Sequence, residues 1–171
     1  MPKIRVVIVD DHKLFRNGLS FILREIEDVE IIGEASNGKE FLTLLQESKP
    51  DLVLMDIKMP EMDGIEASKI ALQQYPDLNI LVLSMFDDEQ YYNSMIDIGV
   101  RGFILKDADS SELKTAVNKV YEGNSYFSQE LLLKIIKNKT NVTNINLSKR
   151  ELEVLKYICK GASNYEISET L

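Results

Sequence analysis

Apolar positions in the first 122 residues alternate between two periods. Ile4 to Val9 is an apolar run broken only by Arg5, the pattern of a strand buried on both faces of a parallel sheet. Phe15, Leu19, Ile22, Leu23 and Ile26 then recur every three or four residues, which puts them on one side of a helix. The same alternation predicts further strands at Val29 to Ala35, Leu52 to Met55, Ile80 to Leu83 and Gly102 to Leu105. Between them, Phe41, Leu44 and Leu45 mark a second helix, a third begins near Asp63, and a fourth carries Tyr91, Met95 and Ile98. The fifth has a stripe of Leu113, Ala116, Val117, Val120 and Tyr121, and Asp109 and Glu112 stand at capping-box spacing at its start. Five consecutive βα units predict an α/β fold: a parallel sheet with helices on both faces, in the flavodoxin-like strand order 2-1-3-4-5.

After Tyr121 the pattern changes. Residues 128–137 read as one helix, and the apolar surface of Leu131, Leu132, Leu133, Ile135 and Ile136 predicts that it docks on another surface. Residues 138–146 are an Asn/Thr-rich linker with little to bury. Ser148 with Glu151, and Ser163 with Glu166, are two more capping boxes, with Gly161 between them as a C-cap. The expected division is therefore a domain over 1–122, a linker over 123–146 and a helical fragment over 147–171.

Charge sharpens that division. The chain has 171 residues and a formal net charge of −8, but the acidic surplus lies wholly in 1–122, whereas 123–171 is slightly basic. An acidic first domain repels phosphates, which argues against direct nucleic-acid binding there. No apolar run approaches a membrane span, and no export signal is evident. The single cysteine, Cys159, cannot form an internal disulfide, so a cytoplasmic location without membrane association is expected. Helix packing is the expected role of Cys159. The sequons at Asn138, Asn141 and Asn146 are accidents of composition in such a chain.

Candidate chemistry collects at the strand ends, where open parallel sheets bind their ligands. The first strand runs into Asp10 and Asp11 and the third into Asp56. Three carboxylates in one shallow pocket repel one another unless a cation neutralises them, and hard oxygen donors suit Mg²⁺. Ser84 ends the fourth strand and offers a hydroxyl; Lys106 ends the fifth and offers a positive charge. A carboxylate nucleophile, a metal and a lysine together make a phosphoryl-transfer site. His12, the sole histidine, is read as a polar residue of the first helical turn, near the acid pair but outside a metal shell. Tyr91 and Tyr92 are read as core aromatics of the fourth helix.

Asp10-Asp11, the run Met55-Asp56-Ile57-Lys58-Met59-Pro60, Asp63-Gly64, Ser84 and Lys106 resemble the receiver domain of two-component response regulators, over residues 3–122. The resemblance implies that Asp56 accepts a phosphoryl group from a sensor histidine kinase. It implies that Asp11, Asp56 and the Lys58 backbone carbonyl bind Mg²⁺, with Asp10 acting through water. Ser84 and Lys106 would hold the phosphoryl group, and Phe103 would be the aromatic coupled to the Ser84 switch. Two departures stand out: Asp107 follows the lysine where many receivers have proline, and a serine replaces the threonine common in some branches.

Residues 147–171 resemble a LuxR/NarL-type helix-turn-helix, covering its first and scaffold helices. The recognition helix comes next in that family, so the chain is read as truncated within the output domain. As it stands it is expected to bind no promoter DNA, whereas a full-length form would regulate transcription. An Asp-nucleophile phosphatase of the haloacid-dehalogenase type is excluded, because it needs an acid two residues after the nucleophile and Lys58 stands there. Catalysis is expected to be limited to slow self-phosphorylation from small donors and self-dephosphorylation. A receiver acting through protein contacts alone is the alternative, and a dimer strengthened by phosphorylation is expected.

Overall fold

In the computed structural model the apolar runs form strands and the helical stripes form helices, in strict alternation. The order is β1 (Ile4–Val9), α1 (Lys13–Arg24), β2 (Val29–Ala35), α2 (Gly38–Ser48), β3 (Leu52–Asp56), α3 (Gly64–Gln74), β4 (Asn79–Ser84), α4 (Glu89–Ile98), β5 (Gly102–Leu105), α5 (Ser110–Tyr121) and β6 (Tyr126–Phe127). The structure describes residues 3–85, 89–129, 132–133, 148 and 154. The chain divides into two units, Met1–Tyr126 and Phe127–Leu171.

The sheet order is β2-β1-β3-β4-β5-β6, and β1 to β5 pair in parallel. This is the expected flavodoxin-like arrangement with a two-residue strand added beyond β5. Two strands run further than the apolar pattern predicts. Asp56 pairs with Leu83 and Ser84 with Leu105, so both polar residues sit in the ladder itself. Their positions are set by sheet hydrogen bonds rather than by a loop.

Strands covered on both faces divide their side chains by parity. Ile4, Val6, Ile8, Leu52, Leu54, Leu81, Leu83 and Ile104 pack with Leu19 and Leu23 of α1 and with Leu113, Ala116, Val117 and Val120 of α5. Residues of the other parity, Val7, Val9, Val53, Met55, Ile80, Val82 and Phe103, are equally buried, as are Phe41, Leu45, Ala67, Ala71, Tyr92 and Met95 of α2 to α4. In α4 the core aromatic is Tyr92, 1 % exposed. Tyr91 and Ile98 are only half-buried, because a helix supporting Tyr92 and Met95 in the core turns position 91 toward the rim. Tyr121, at the end of the α5 stripe, is exposed.

Helix starts follow side-chain chemistry. Asp63, Asp109 and Asn37 cap α3, α5 and α2 by accepting from the backbone N–H groups of Glu66, Glu112 and Glu40. At α5 only the forward half of the expected capping box is described: the Glu112 carboxylate instead accepts from the Tyr126 hydroxyl at 3.3 Å. Asn37 is buried, and its carbonyl oxygen meets Glu40 N–H at 2.9 Å. Asn37→Ala is expected to lower stability by about 1 kcal/mol in urea unfolding, with the sheet intact.

The β3–α3 connection is held on both sides. Gly64 N–H donates to Ile57 O at 2.9 Å, and Gly38 N–H at the start of α2 donates to Met62 O at 3.0 Å. A Cβ added at Gly64 would lie 1.9 Å from the Asp56 carbonyl oxygen, so only glycine lets the chain pass so close behind β3.

In the second unit Gln129, Leu132 and Leu133 are helical, and Leu132 N–H donates to Ser128 O at 3.1 Å, in keeping with the start of the helix read over 128–137. The rest of that helix, the Asn/Thr-rich segment, the capping interactions at Ser148 and Ser163, Gly161 and Cys159 lie outside the described residues. Among the described residues no helix is long and apolar enough to cross a membrane.

Candidate functional site

The C-terminal ends of β1, β3 and β5 bring Asp10, Asp56 and Lys106 together. Asp10 is fully buried and Asp56 is 3 % exposed. Lys106 Nζ lies 2.6 Å from Asp10 Oδ2 and 2.8 Å from Asp56 Oδ2, so one ammonium bridges two strand-end carboxylates. It also stands over the Phe15 ring, 4.9 Å from the centroid. Burial alone would depress the lysine, but its hydrogen bonds to Asp10 and Asp56 hold it above the ordinary value and keep it charged.

Asp56 is pushed up to about 6. Burial is the main cause, the Lys106 hydrogen bond and charge oppose it, and the neighbouring Asp10 charge adds to it. Asp56 Oδ1 accepts from its neighbour's Ile57 N–H at 2.8 Å. Above pH 6 the group is an ionised carboxylate held in one orientation, which is what a nucleophile requires.

Asp11, His12 and a cleft lined by Ile57, Lys58, Met59, Pro60, Asp63 and Tyr91 complete this side of the site. One oxygen or nitrogen from each of Asp10, Asp11, His12 and Asp56 falls within a cluster 4.8 Å across. Among the described residues Asp11 Oδ1 is shut off from solvent and accepts no hydrogen bond, although His12 Nδ1 lies 2.8 Å away. A buried carboxylate oxygen lacking a donor, beside two further carboxylates, is the donor set a hard divalent cation satisfies. His12 stands closer to this cluster than its sequence position suggested. It is the N-cap residue of α1 rather than part of its first turn, and its Nδ1 is also 3.3 Å from Asp10 Oδ1. Lys58 reaches across the cleft to the Tyr91 ring, 5.7 Å from its centroid.

Ser84 is fully buried. Its hydroxyl donates to Met85 O at 2.8 Å and lies 3.1 Å from the Tyr92 hydroxyl, so among the described residues it is engaged toward α4 and not with Asp56. Phe103 is fully buried on β5 and meets Tyr92 edge-to-face, with centroids 5.4 Å apart.

Two contributors were not legible as site residues. Arg16 Nη1 donates to the Asp10 carbonyl at 2.5 Å, and Arg16 Nε to Glu34 Oε2 at 3.4 Å. Glu34 in turn accepts from the buried Ser20 hydroxyl at 2.9 Å. This chain from β2 through α1 supports the turn that carries the acid pair. The only sequence signal was an arginine next to the apolar face of α1, which has meaning only once β2 is known to lie beside it. Tyr92 was the other, read as core packing alone.

Similarity to known proteins extends over both parts of the chain. The family described as "Response regulator receiver domain" matches residues 6–118, and "Bacterial regulatory proteins, luxR family" matches residues 145–171. Response regulator protein VraR of Staphylococcus epidermidis is 39% identical over 168 residues, covering 96% of this chain and 80% of that protein. Oxygen regulatory protein NreC of Staphylococcus aureus is 39% identical over 180 residues, covering 98% and 82%. Among solved structures, the response regulator ChrA of a heme-sensing two-component system matches with a TM-score of 0.69 at 32% identity, over 99% of this chain and 82% of that one. A structure of two RcsB dimers bound to two parallel DNAs matches with a TM-score of 0.74 at 25% identity, over 98% and 82%. The chain therefore belongs to the two-component response regulators of the NarL/FixJ group, transcription regulators that join a receiver domain to a LuxR-type helix-turn-helix.

Proposed function

We propose that Asp56 is the phosphoacceptor and that the chain takes its phosphoryl group from the phosphohistidine of a sensor kinase. An Asp56 carboxylate oxygen attacks phosphorus, the P–N bond breaks, and the imidazole leaves with the electron pair and takes up a proton. The observation that carries this reading is the Asp56 carboxylate itself: buried, ionised above pH 6, and held by Lys106 Nζ and Ile57 N–H at 2.8 Å each. Lys106 can follow the charge from the carboxylate to the phosphoryl oxygens, and Ser84 can turn its hydroxyl to the same group. Phe103 repacks as Ser84 moves.

Mg²⁺ is the cofactor this reading requires, supplying charge neutralisation between the carboxylates and the incoming phosphoryl oxygens. Asp11, Asp56 and the Lys58 carbonyl would hold it, with Asp10 through water. The receiver spans 1–122, the linker 123–146, and 147–171 belongs to the output domain. The reading is of a cytoplasmic protein whose own chemistry is slow phosphorylation from small donors and slow self-dephosphorylation. Phosphorylation strengthens self-association, and promoter DNA is the target of the LuxR-type helix-turn-helix, as RcsB dimers bind DNA in the structure named above.

Acetyl phosphate tests the site without a kinase. With Mg²⁺ the chain is expected to gain one phosphoryl group by intact-mass spectrometry, and chelation of the metal should prevent it. Asp11→Ala should reduce uptake at least tenfold at low millimolar Mg²⁺ while leaving the fold intact, because removing one of three crowded like charges relieves repulsion. Uptake by Asp11→Ala at the parent's rate and Mg²⁺ dependence would contradict the ligand assignment.

A further inference from the structure

The hydroxyl of Tyr92 is not explained by packing. Its ring fills the core against Phe103, and a phenylalanine would do the same without burying an oxygen. Buried hydroxyls are kept where they have partners. Those described for Tyr92 are Ser84 Oγ at 3.1 Å and, at the limit of hydrogen bonding, Met85 O at 3.5 Å.

Proton accounting gives the contact a direction. Each hydroxyl has one proton to donate. Ser84 directs its own to Met85 O at 2.8 Å, so in the Ser84–Tyr92 pair Tyr92 donates and Ser84 accepts. Ser84 is thus held at both ends, by the carbonyl that takes its proton and by the tyrosine that occupies its lone pair. To serve a phosphoryl group, Ser84 must withdraw its proton from Met85 O and turn away from α4.

We propose that Tyr92 is a positioning residue for phosphoryl capture: its hydroxyl latches Ser84 in the resting orientation and so ties α4 directly to the site. This rests on the assignment of Asp56 as acceptor. Tyr92 touches both partners of the switch, Ser84 through its hydroxyl and Phe103 through its ring. Freeing Ser84 therefore releases one side chain of α4 without requiring Phe103 to move first. A neutral hydrogen bond of this kind biases a two-state side chain about three- to tenfold.

The test uses the 171-residue chain, Mg²⁺ and beryllofluoride as a phosphoryl mimic, with affinity read by calorimetry. Tyr92→Phe is expected to bind the mimic about three- to tenfold more tightly than the parent. In a Ser84→Ala background the same substitution should have no effect, since the latch has nothing left to hold. Unchanged or weaker binding by Tyr92→Phe, or an equal gain in the Ser84→Ala background, would overturn the proposal. Should Tyr92→Phe unfold, the parent alone decides: Tyr92 ring resonances are expected to shift when the mimic binds, and their standing still would count against the latch. Asp56→Asn separates the two layers, because its binding the mimic like the parent would overturn the acceptor assignment rather than the latch.

Discussion

Asp56→Asn is expected to take up no phosphoryl group from acetyl phosphate and, with Mg²⁺ chelated, to be more stable than the parent at neutral pH. The first effect follows from chemistry, since a carboxamide is neither the nucleophile nor a metal ligand of the right charge. The second follows from linkage. Asp56 sits at about 6 in the folded protein against an ordinary value of 3.8, so the folded state holds a proton there more tightly than the unfolded state does. The ionised group therefore costs stability above about pH 6. That cost shrinks as pH falls through 6 and has disappeared below about 3.8. A shift of this size corresponds to roughly 2–3 kcal/mol. Urea unfolding of the parent in chelator should show rising stability from pH 7.5 to pH 5, and Asp56→Asn should lack this component. A parent flat over that interval, or a variant that still gains phosphoryl mass, would refute the corresponding half.

Gly64→Ala carries the other large effect. The added Cβ would meet the Asp56 carbonyl oxygen at 1.9 Å, and neither side can yield easily. Asp56 lies in the β3–β4 ladder, and Gly64 N–H is bonded back to Ile57 O. Relief requires shifting the β3–α3 connection or the end of β3, at a cost of about 3 kcal/mol, the upper part of the range for overpacking. Because the displaced segment includes Ile57 and Lys58, the Asp56 carboxylate would lose its orientation as well. Displacements near 1 Å commonly slow positioned chemistry by about a hundredfold. Urea unfolding and the rate of acetyl-phosphate labelling measure the two effects separately, and an alanine variant matching the parent in both would show that the loop gives way more easily than its hydrogen bonds indicate.

Most of the α/β architecture was legible because strands buried on both faces and one-sided helices leave different periods in the chain. Asp56 and Ser84 break the apolar pattern, yet each reads as the end of its strand, and ladder pairing runs through both. The strand Tyr126–Phe127 is too short to leave a period at all. At the site, the acids, the serine and the lysine could be picked out because each follows a strand that ends at the same edge of the sheet. Arg16 and the Tyr92 hydroxyl could not. Their partners, the Asp10 carbonyl, Glu34 and Ser84, are near only after β2 and α4 have docked. Leu14 and Phe21 of α1, by contrast, are exposed, as their position off the apolar stripe of that helix implies.

The Lys106 bridge also has a consequence for the order in which the domain comes into being. Lys106 and Asp10 are separated by 96 positions in the chain, so their pairing cannot form in a growing polypeptide before β5 has been made. A nascent chain that has emerged only through β4 already carries all three acids but not the ammonium that bridges two of them. Parallel sheets closed by such distant contacts fold slowly compared with locally connected helical proteins. Until β5 docks, the acids lack their internal counter-ion and Asp56 lacks its clamp. The charge balance of the site is therefore complete only once β5 is in place.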